Sequence, residues 1–390
     1  MMEQEYNQGV LYDLCATQPS FGSSRHGGGK YGEIVLKQIL RRDLPVTCFY
    51  DSRRWLNPEI STLLQNKGVS LYDVNEQGLD KIIKTSRCGV LYSALPTNAI
   101  MQREDVIVIG TIHGLRRLET PADSLCFKYR NLNWKDWLFY GLNKIMPALL
   151  RLKLCHYYML AWKNPKFQMV TVSNHTSNAI KVFFPQLKDK TIPVFYSPST
   201  SEYELSETVF NEKYFMLVSG NRLEKNNLRA IIALDHLFSN GFLSDFSVKV
   251  TGAKDASNFR YKIKNASRFQ FLGYVNDKEL DQLYHDAYCL VYPSVNEGFG
   301  YPPLEAMHYG TPVISSSYCS IPEVCGEASL YFNPFSIEEI ENRLLQISNS
   351  IMHVRQKDLA IKQYAKITTK QKRDLDALVD FIYSKNEQYL

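Results

Sequence analysis

Short apolar runs alternate with amphipathic ones along this chain, and the pattern occurs twice. In the first half VLYDL (10–14) is followed by YGEIVLKQILRR (31–42), PVTCFYD (45–51), a helical stretch through Leu64, GVLYSA (89–94) and DVIVIGTIH (105–113). The second half restarts with YFMLVSG (214–220), NLRAIIALDHLF (227–238), FSVKVTGA (246–253), RFQFLGY (268–274), DKELDQLYHDA (277–287), YCLVYPS (288–294) and TPVISS (311–316). Continuously apolar strands set between helices need cover on both faces, so the pattern predicts an α/β protein with two doubly wound parallel sheets. The 390 residues also exceed what one hydrophobic core usually fills. The polar, Ser-rich YSPSTSEYELSETVFNEK (196–213) reads as a linker, which gives domains over 1–200 and 201–370 and a terminal helix over 371–390. Parallel sheets of this kind bind ligands beyond the C-terminal ends of their strands, so a cleft between the two domains is the place to seek chemistry.

The totals narrow the function. A formal charge of +5 suits phosphate-bearing substrates or an anionic membrane surface, and without a dense Lys/Arg run it falls short of a nucleic-acid footprint. Eight cysteines form no C-x-x-C pair and several lie in strand-like runs, as reduced thiols of a cytoplasmic protein would. The start, MMEQEYNQG, is polar and acidic where a signal peptide would be basic and then apolar, and no run reaches the roughly 18 apolar residues of a spanning helix. The eight histidines include no H-x-x-x-H pair, so no metal site is expected. One segment differs in texture: Lys128 to Lys166 holds eight Lys/Arg against one acid, Asp136, and three of the four tryptophans. It reads either as helices lying on an anionic membrane or as two helices packed on the first sheet with a solvated basic face.

Four stretches carry candidate chemistry. FGSSRHGGGKYGEIVLKQIL (21–40) places Gly27 to Gly29 where a helix opens, either for close approach of a ligand or as a plain flexible turn. In TIHGLRRLETP (111–121), His113 sits just past a central strand and can reach a substrate hydroxyl. SGNRLEKNN (219–227) puts Arg222 and Lys225 in a turn before a helix, as cations for a diphosphate or as solvated surface charge. EGFGYPPLEA (297–306) has prolines suited to opening a helix, with the amides of Phe299, Gly300 and Tyr301 ahead of it, and Gly310 to end it. Glu305 is expected in the first turn, where an acid is also favoured by the helix dipole alone. Two carboxylates around an anion-friendly turn fit a ligand with phosphate in the middle and hydroxyls at both ends, which describes a nucleotide sugar.

With these residues assembled, the sequence resembles the retaining GT-B glycosyltransferases of glycosyltransferase family 4 (glycosyl transferases group 1). The resemblance rests on the E-x7-E pattern of Glu297 and Glu305 followed by AMHYGTPVISSSYCSIPEVCGEASLYFNP, on FLGYVNDKELDQLYHDAYCLVYPS before it, and on TIHGLRRLETP and MVTVSNHTSNAIKVFF in the first half. It implies two Rossmann-like domains facing across a cleft, with the terminal helix crossing back onto the first. It further implies that Glu297 binds donor-sugar hydroxyls and Glu305 the ribose. Gly298, Phe299, Gly300 and Tyr301, with Arg222 and Lys225, would meet the diphosphate, and the base would rest near Tyr274 and Val275. His113 would reach the sugar, and Gly28 and Gly29 would line the cleft. The implied activity is that of a hexosyl or deoxyhexosyl transferase, moving sugar from a nucleotide-diphosphate-sugar donor to a glycan or lipid-linked glycan in cell-surface polysaccharide biosynthesis, without a cofactor or required metal ion. A cytoplasmic location, with peripheral contact at the inner face of an anionic membrane, accompanies that reading. A nucleotide-sugar epimerase of the same architecture and a non-catalytic scaffold subunit are the alternatives; intact Glu297, Glu305, Lys225 and His113 speak against the scaffold.

Overall fold

The computed structural model describes residues 7–19, 27–121, 123–130, 134–198 and 212–385. The expectations placed on residues 1–6, on FGSSRH (21–26) and on linker positions 199–211 lie outside the described residues. The chain divides into two compact units, one of Met1–Gly114, Leu154–Ser199 and Thr368–Leu390, the other of Leu115–Lys153 and Thr200–Ile367.

The first unit is built on strands β1 (Asn7–Asp13), β2 (Val46–Tyr50), β3 (Leu71–Asp73), β4 (Cys88–Ser93), β5 (Ile107–Ile112) and β6 (Phe167–Thr171), in the order β3-β2-β1-β4-β5-β6. The second holds β7 (Lys213–Leu217), β8 (Phe246–Thr251), β9 (Phe269–Gly273), β10 (Cys289–Tyr292), β11 (Val313–Ser316) and β12 (Ser329–Phe332), in the order β12-β11-β10-β7-β8-β9. All of these pairings are parallel. Counted from its own first strand, the second sheet repeats the order of the first, and each sheet changes direction once, at β1/β4 and at β7/β10. Such switch points are where doubly wound sheets leave a crevice for ligands.

Strand side chains alternate between two covered faces. In β7, Phe215 and Leu217 join Val248, Val250 and Val291 beneath the helix Asn227–Ser239, while Tyr214 and Met216 join Leu290, Tyr292 and Val313 on the other face. The helix Asn227–Ser239 is buried on nearly every side, which is possible because its one internal acid is satisfied. Asp235 accepts from Tyr261 Oη at 2.8 Å and from the backbone N–H groups of Lys264 (3.0 Å) and Asn265 (2.8 Å). Burial works to raise its carboxyl, and these bonds outweigh it and hold it below the usual range.

Residues 115–153 pack with the second unit, an exchange that the ranges 1–200 and 201–370 do not include. Tyr129 enters the second core against Phe259, at 5.3 Å between ring centroids, and its hydroxyl accepts from Leu228 N–H at 3.1 Å. The Arg130 and Arg260 amides donate to Asn258 and Lys128 carbonyls, and Asp123 holds Arg229 with two 2.8 Å bonds. The helix Trp134–Ile145 buries no residue fully, but Phe139, Tyr140 and Leu142 are half-buried, and the helix groups with the second unit rather than with the first sheet.

The terminal helix runs from Ser350 to Ser384. Its earlier part packs in the second unit, where Tyr364 stacks on His308 at 4.6 Å. Its later part packs in the first, where Leu378, Val379 and Ile382 are buried and Asp376 and Asp380 accept from Gln38 and Arg42, each at 2.6 Å.

The helix Gly27–Arg41 lies close on the first unit's core at Gly32. A Cβ on Gly32 would fall 2.7 Å from Thr17 Cγ2 and 2.9 Å from Ala94 Cβ. Gly32→Ala is therefore expected to destabilise the protein by about 1–3 kcal/mol, reversing the ~1 kcal/mol that alanine ordinarily gains over glycine in a helix. The urea midpoint measures this, and an unchanged or raised midpoint would show that the helix can back away.

Candidate active site

The switch point of the second sheet lies between β7 and β10, and the loops that leave those two strands are fastened to each other. Val295 N–H donates to Glu224 O at 2.8 Å, and Ser294 Oγ lies 3.0 Å from the same carbonyl. Asn226, in a left-handed conformation with φ 55°, donates from Nδ2 to Pro293 O (3.0 Å) and Pro334 O (2.8 Å). Asparagine tolerates that backbone better than most residues, so the turn closes and its side chain serves as a cross-brace.

These braces bring together two residues 72 positions apart. Lys225 Nζ meets Glu297 Oε1 at 2.7 Å, with the Lys225 side chain buried and that of Glu297 14% exposed, and also donates to Tyr292 Oη at 2.7 Å. The same Glu297 oxygen accepts from Tyr292 Oη and Ser294 Oγ, each at 2.6 Å. Burial pushes the Glu297 carboxyl up, but Lys225 and the two hydroxyls prevail and hold it below the usual carboxylate range. Every one of these bonds falls on Oε1, so Oε2 is the oxygen that a hydroxyl-bearing ligand would meet. Sequence reasoning assigned Lys225 to phosphate and Glu297 to sugar as separate groups; the fold joins them as one ion pair.

Arg222 is engaged differently. Its guanidinium, together with that of Arg116, closes on Glu224, with Arg116 at 3.0 Å. Burial raises the Glu224 carboxyl and the two arginines outweigh it, keeping it ionised below the usual range. Beside this group lies a cavity of about 270 Å³, lined by Arg116, Arg117, Arg222, Asn221, Tyr140 and Glu224 among others. Its arginines give it an anion-attracting wall, while Glu224 offsets part of Arg222's charge.

The EGFGYPPLEA loop leads into the helix Tyr301–His308, with Gly300 as N-cap at φ 110° and prolines in the first turn, as their fixed φ favours. Gly310 follows the helix at φ 70°. Ser320 Oγ lies 2.8 Å from the Phe299 carbonyl and 3.0 Å from that of Glu297, within donating distance of either, which fixes the loop from beneath. Because the helix begins at Tyr301 rather than at the prolines, Glu305 is its fifth residue and lies outside the first turn, contrary to expectation. Its carboxylate is hydrogen-bonded to the buried Tyr284 hydroxyl instead of relying on the helix dipole. Tyr274 and Val275 follow the edge strand β9, two strands from the switch point, and the Tyr274 ring is exposed.

In the first unit His113 stands one residue beyond β5. Its Nε2 lies 2.9 Å from Ala94 O, which can only accept, so this nitrogen carries the proton. Tyr31 meets the ring edge-on at 4.8 Å, and beneath it the Tyr31, Tyr92 and Thr111 hydroxyls form a buried network. Gly28 and Gly29 belong to the first turn of the helix Gly27–Arg41 rather than to a loop. A Cβ on Gly28 would come within 2.6 Å of Leu95 Cδ1, the end of a side chain that would have to shift.

Sequence reading missed Tyr292, Ser294, Glu224 and Asp13. The first two sit inside the apolar strand-end run YCLVYPS, where a hydroxyl facing a partner looks like any buried polar residue. Asp13 ends β1 at the first sheet's switch point, fully buried, and accepts from Ser93 Oγ at 2.7 Å and Ala16 N–H at 3.2 Å. Burial raises its carboxyl to about 6 against those hydrogen bonds. A perturbed carboxylate at a switch point is a functional candidate that only the fold reveals.

Comparison with known proteins gives concordant results. Residues 201–368 match the family model described as glycosyl transferases group 1. The chain is 48% identical over 77 residues to O-antigen chain mannosyltransferase B of Escherichia coli, covering 20% of each protein. It is 30% identical over 167 residues to O-antigen chain mannosyltransferase RfbU of Salmonella typhimurium, covering 43% of this chain and 46% of that one. The alignments thus span between a fifth and just under half of these relatives' length. Among solved structures, WaaG, a glycosyltransferase involved in lipopolysaccharide biosynthesis, superposes with a TM-score of 0.66 at 14% identity, over 96% of this chain and 99% of that one. A glycosyltransferase from Rickettsia africae gives 0.65 at 14% identity, over 97% and 99%. These likenesses establish the GT-B fold.

Two outcomes test the geometry. Lys225→Met strands the buried Glu297 carboxylate and is expected to cost about 3 kcal/mol or more, whereas adding Glu297→Gln restores a large part of that loss. Strictly additive urea midpoints would contradict a direct pair. For Asp13, the folded-state pKa of about 6 lies above the ordinary value of 3.8, so its contribution to stability is full below about pH 4 and is lost as pH rises through 6. Asp13→Asn, which cannot ionise, should therefore gain stability relative to the parent between about pH 4 and 7, by at most about 3 kcal/mol at pH 8. A constant difference across that range would refute the assignment.

Proposed function

We propose, on the premise that residues 201–368 belong to the glycosyl transferases group 1 family, that this protein transfers a hexosyl group from a nucleotide-diphosphate-sugar donor to a glycan or lipid-linked glycan. Transfer proceeds with retention at the anomeric carbon and serves cell-surface polysaccharide biosynthesis. The observation that carries the proposal is the Lys225–Glu297 pair at the β7/β10 switch point, with Tyr292 and Ser294 completing it. Mannose is the first sugar to try, since both O-antigen relatives are named as mannosyltransferases.

In this reading Glu297 accepts donor-sugar hydroxyls through Oε2, its orientation fixed by three donors on Oε1. The turn from Gly298 to Tyr301 and the positive end of the helix Tyr301–His308 receive the diphosphate, with Lys225 and Arg222 as the nearby cations. Glu305 takes the ribose and Tyr274 and Val275 the base; in the first unit, His113 is the group suited to a hydroxyl. As the bond from the anomeric carbon to the phosphate oxygen breaks, its electron pair passes to the diphosphate, and cations and oriented dipoles fixed there stabilise the transition state more than the bound donor. The acceptor hydroxyl bonds to the same face of the sugar and gives its proton to the departing phosphate oxygen. A two-step route through Glu297 is disfavoured, because a carboxylate held ionised by an ammonium and two hydroxyls is a weak nucleophile. Nothing in this scheme requires a metal ion, so transfer is expected to persist in a chelator.

The test is a thermal-shift and transfer assay with nucleotide-diphosphate mannoses and glucoses that differ in base. At least one donor should raise the melting temperature and be turned over, and Glu297→Gln should lose about 100-fold or more in turnover while still folding. Near-parental turnover in that variant would remove Glu297 from the site. Epimerised free donor formed without acceptor would replace the transferase by an epimerase.

A further inference from the structure

The cavity of about 270 Å³ beside Glu224 is built within the second unit, from residues 116–140 and the turn Asn221–Glu224. Of its described lining residues only Arg222 enters the donor scheme; Lys225, Glu297 and the turn from Gly298 to Tyr301 do not line it. The donor diphosphate therefore leaves most of this wall unused.

The wall has the chemistry of an anion site. Among the described residues it holds three arginines, Arg116, Arg117 and Arg222, against two acids, Glu224 and Asp136, so its balance is positive. Glu224 is committed to Arg116 and Arg222. Arg117 is held differently: its Cζ lies 5.6 Å from the Phe139 ring centroid, and a guanidinium set on an aromatic face keeps its N–H edge for a planar or tetrahedral anion. Tyr140 adds a neutral donor, because its hydroxyl has no hydrogen-bond partner among the described residues. Burial pushes that hydroxyl up to about 12, so it keeps its proton to give to an acceptor oxygen. A guanidinium fork beside a phenol hydroxyl suits phosphate oxygens. The margin of the cavity is apolar: Trp137, three residues before Tyr140 and so its neighbour on the helix surface, is exposed, as is Leu138. An anion site with such a margin fits a phosphate ester that carries an alkyl chain.

We propose that this cavity binds the phosphate or diphosphate group that joins the acceptor glycan to its lipid, with Arg117 and Tyr140 as its contacts. The identity of this ligand rests on the transferase reading; the anion site itself does not. The test is calorimetric binding of dodecyl diphosphate, below its micelle concentration, and of inorganic pyrophosphate to full-length protein, each with and without saturating UDP or GDP. Dodecyl diphosphate is expected to bind in the presence of either nucleotide, at least as tightly as pyrophosphate. Arg117→Ala should weaken it about tenfold and Tyr140→Phe about threefold or more, with nucleotide affinity within about twofold of the parent's. The Arg117 side chain is exposed and Tyr140→Phe removes one oxygen, so both variants should melt like the parent. Displacement of dodecyl diphosphate by nucleotide would give the cavity to the donor and overturn the proposal, as would variants that bind like the parent. Binding of pyrophosphate with rejection of the alkyl ester would make a free anion the occupant and equally overturn it. If neither nucleotide binds, the transferase reading loses its support, while the dependence of dodecyl diphosphate binding on Arg117 and Tyr140 still decides the anion site.

Discussion

The buried pair of Lys225 and Glu297 is the constraint on which the second unit's site depends. An ammonium and a carboxylate removed from water each carry a desolvation penalty of several kcal/mol, which they recover only in good geometry with their remaining hydrogen-bonding capacity met. Tyr292 and Ser294 help to meet it at Oε1, so the end of β10 is committed to the pair. The turn after β7 is committed as well, because Lys225 reaches Glu297 only when Asn226 takes its left-handed conformation and braces Pro293 and Pro334. A single electrostatic requirement thereby fixes two loops relative to each other at the switch point.

That rigidity has chemical value. Electrostatic stabilisation of a leaving group is effective when the charges are already in place and need no reorganisation as the bond breaks. The same packing that hides the pair, with Ser320 holding the carbonyls of Glu297 and Phe299, sets the turn ahead of the helix Tyr301–His308. The site is thus prepared by neutral donors and backbone carbonyls as much as by charge.

The strands and their parallel arrangement were legible in the sequence, because both-face burial leaves unbroken apolar runs such as GVLYSA and YFMLV. The candidate loops were legible too, because glycines, prolines and charges collect at strand ends. Pairing was not. Nothing in SGNRLEKNN indicates that Arg222 turns to Glu224 while Lys225 turns to Glu297, since that choice depends on which strand lies next to β7. The place of residues 115–153 was equally hidden: Tyr129 and Asp123 bind Phe259, Leu228 and Arg229, contacts between segments about a hundred residues or more apart that leave no periodic trace. Glu305 was misplaced for a local reason, since the prolines suggested a helix start one turn position later than Tyr301.

Glu224 and Glu297 lie on fastened neighbouring loops and are both held ionised, Glu224 buried and Glu297 largely so, yet they differ in their partners. Glu224 meets the guanidiniums of Arg116 and Arg222, both on its Oε1, and its backbone carbonyl accepts from Val295 N–H. Its role is to hold two arginines at the wall of the cavity. Glu297 meets one ammonium and two hydroxyls, all on a single oxygen, so its second oxygen can accept without dismantling the pair. A neutral polyol gains hydrogen bonds from such a carboxylate and adds no charge to the site. The two acids that the sequence presents alike thus differ in their partners: an ammonium and neutral hydroxyls at Glu297, as the proposed sugar contact requires, and two arginines at Glu224, which places cations at the cavity wall.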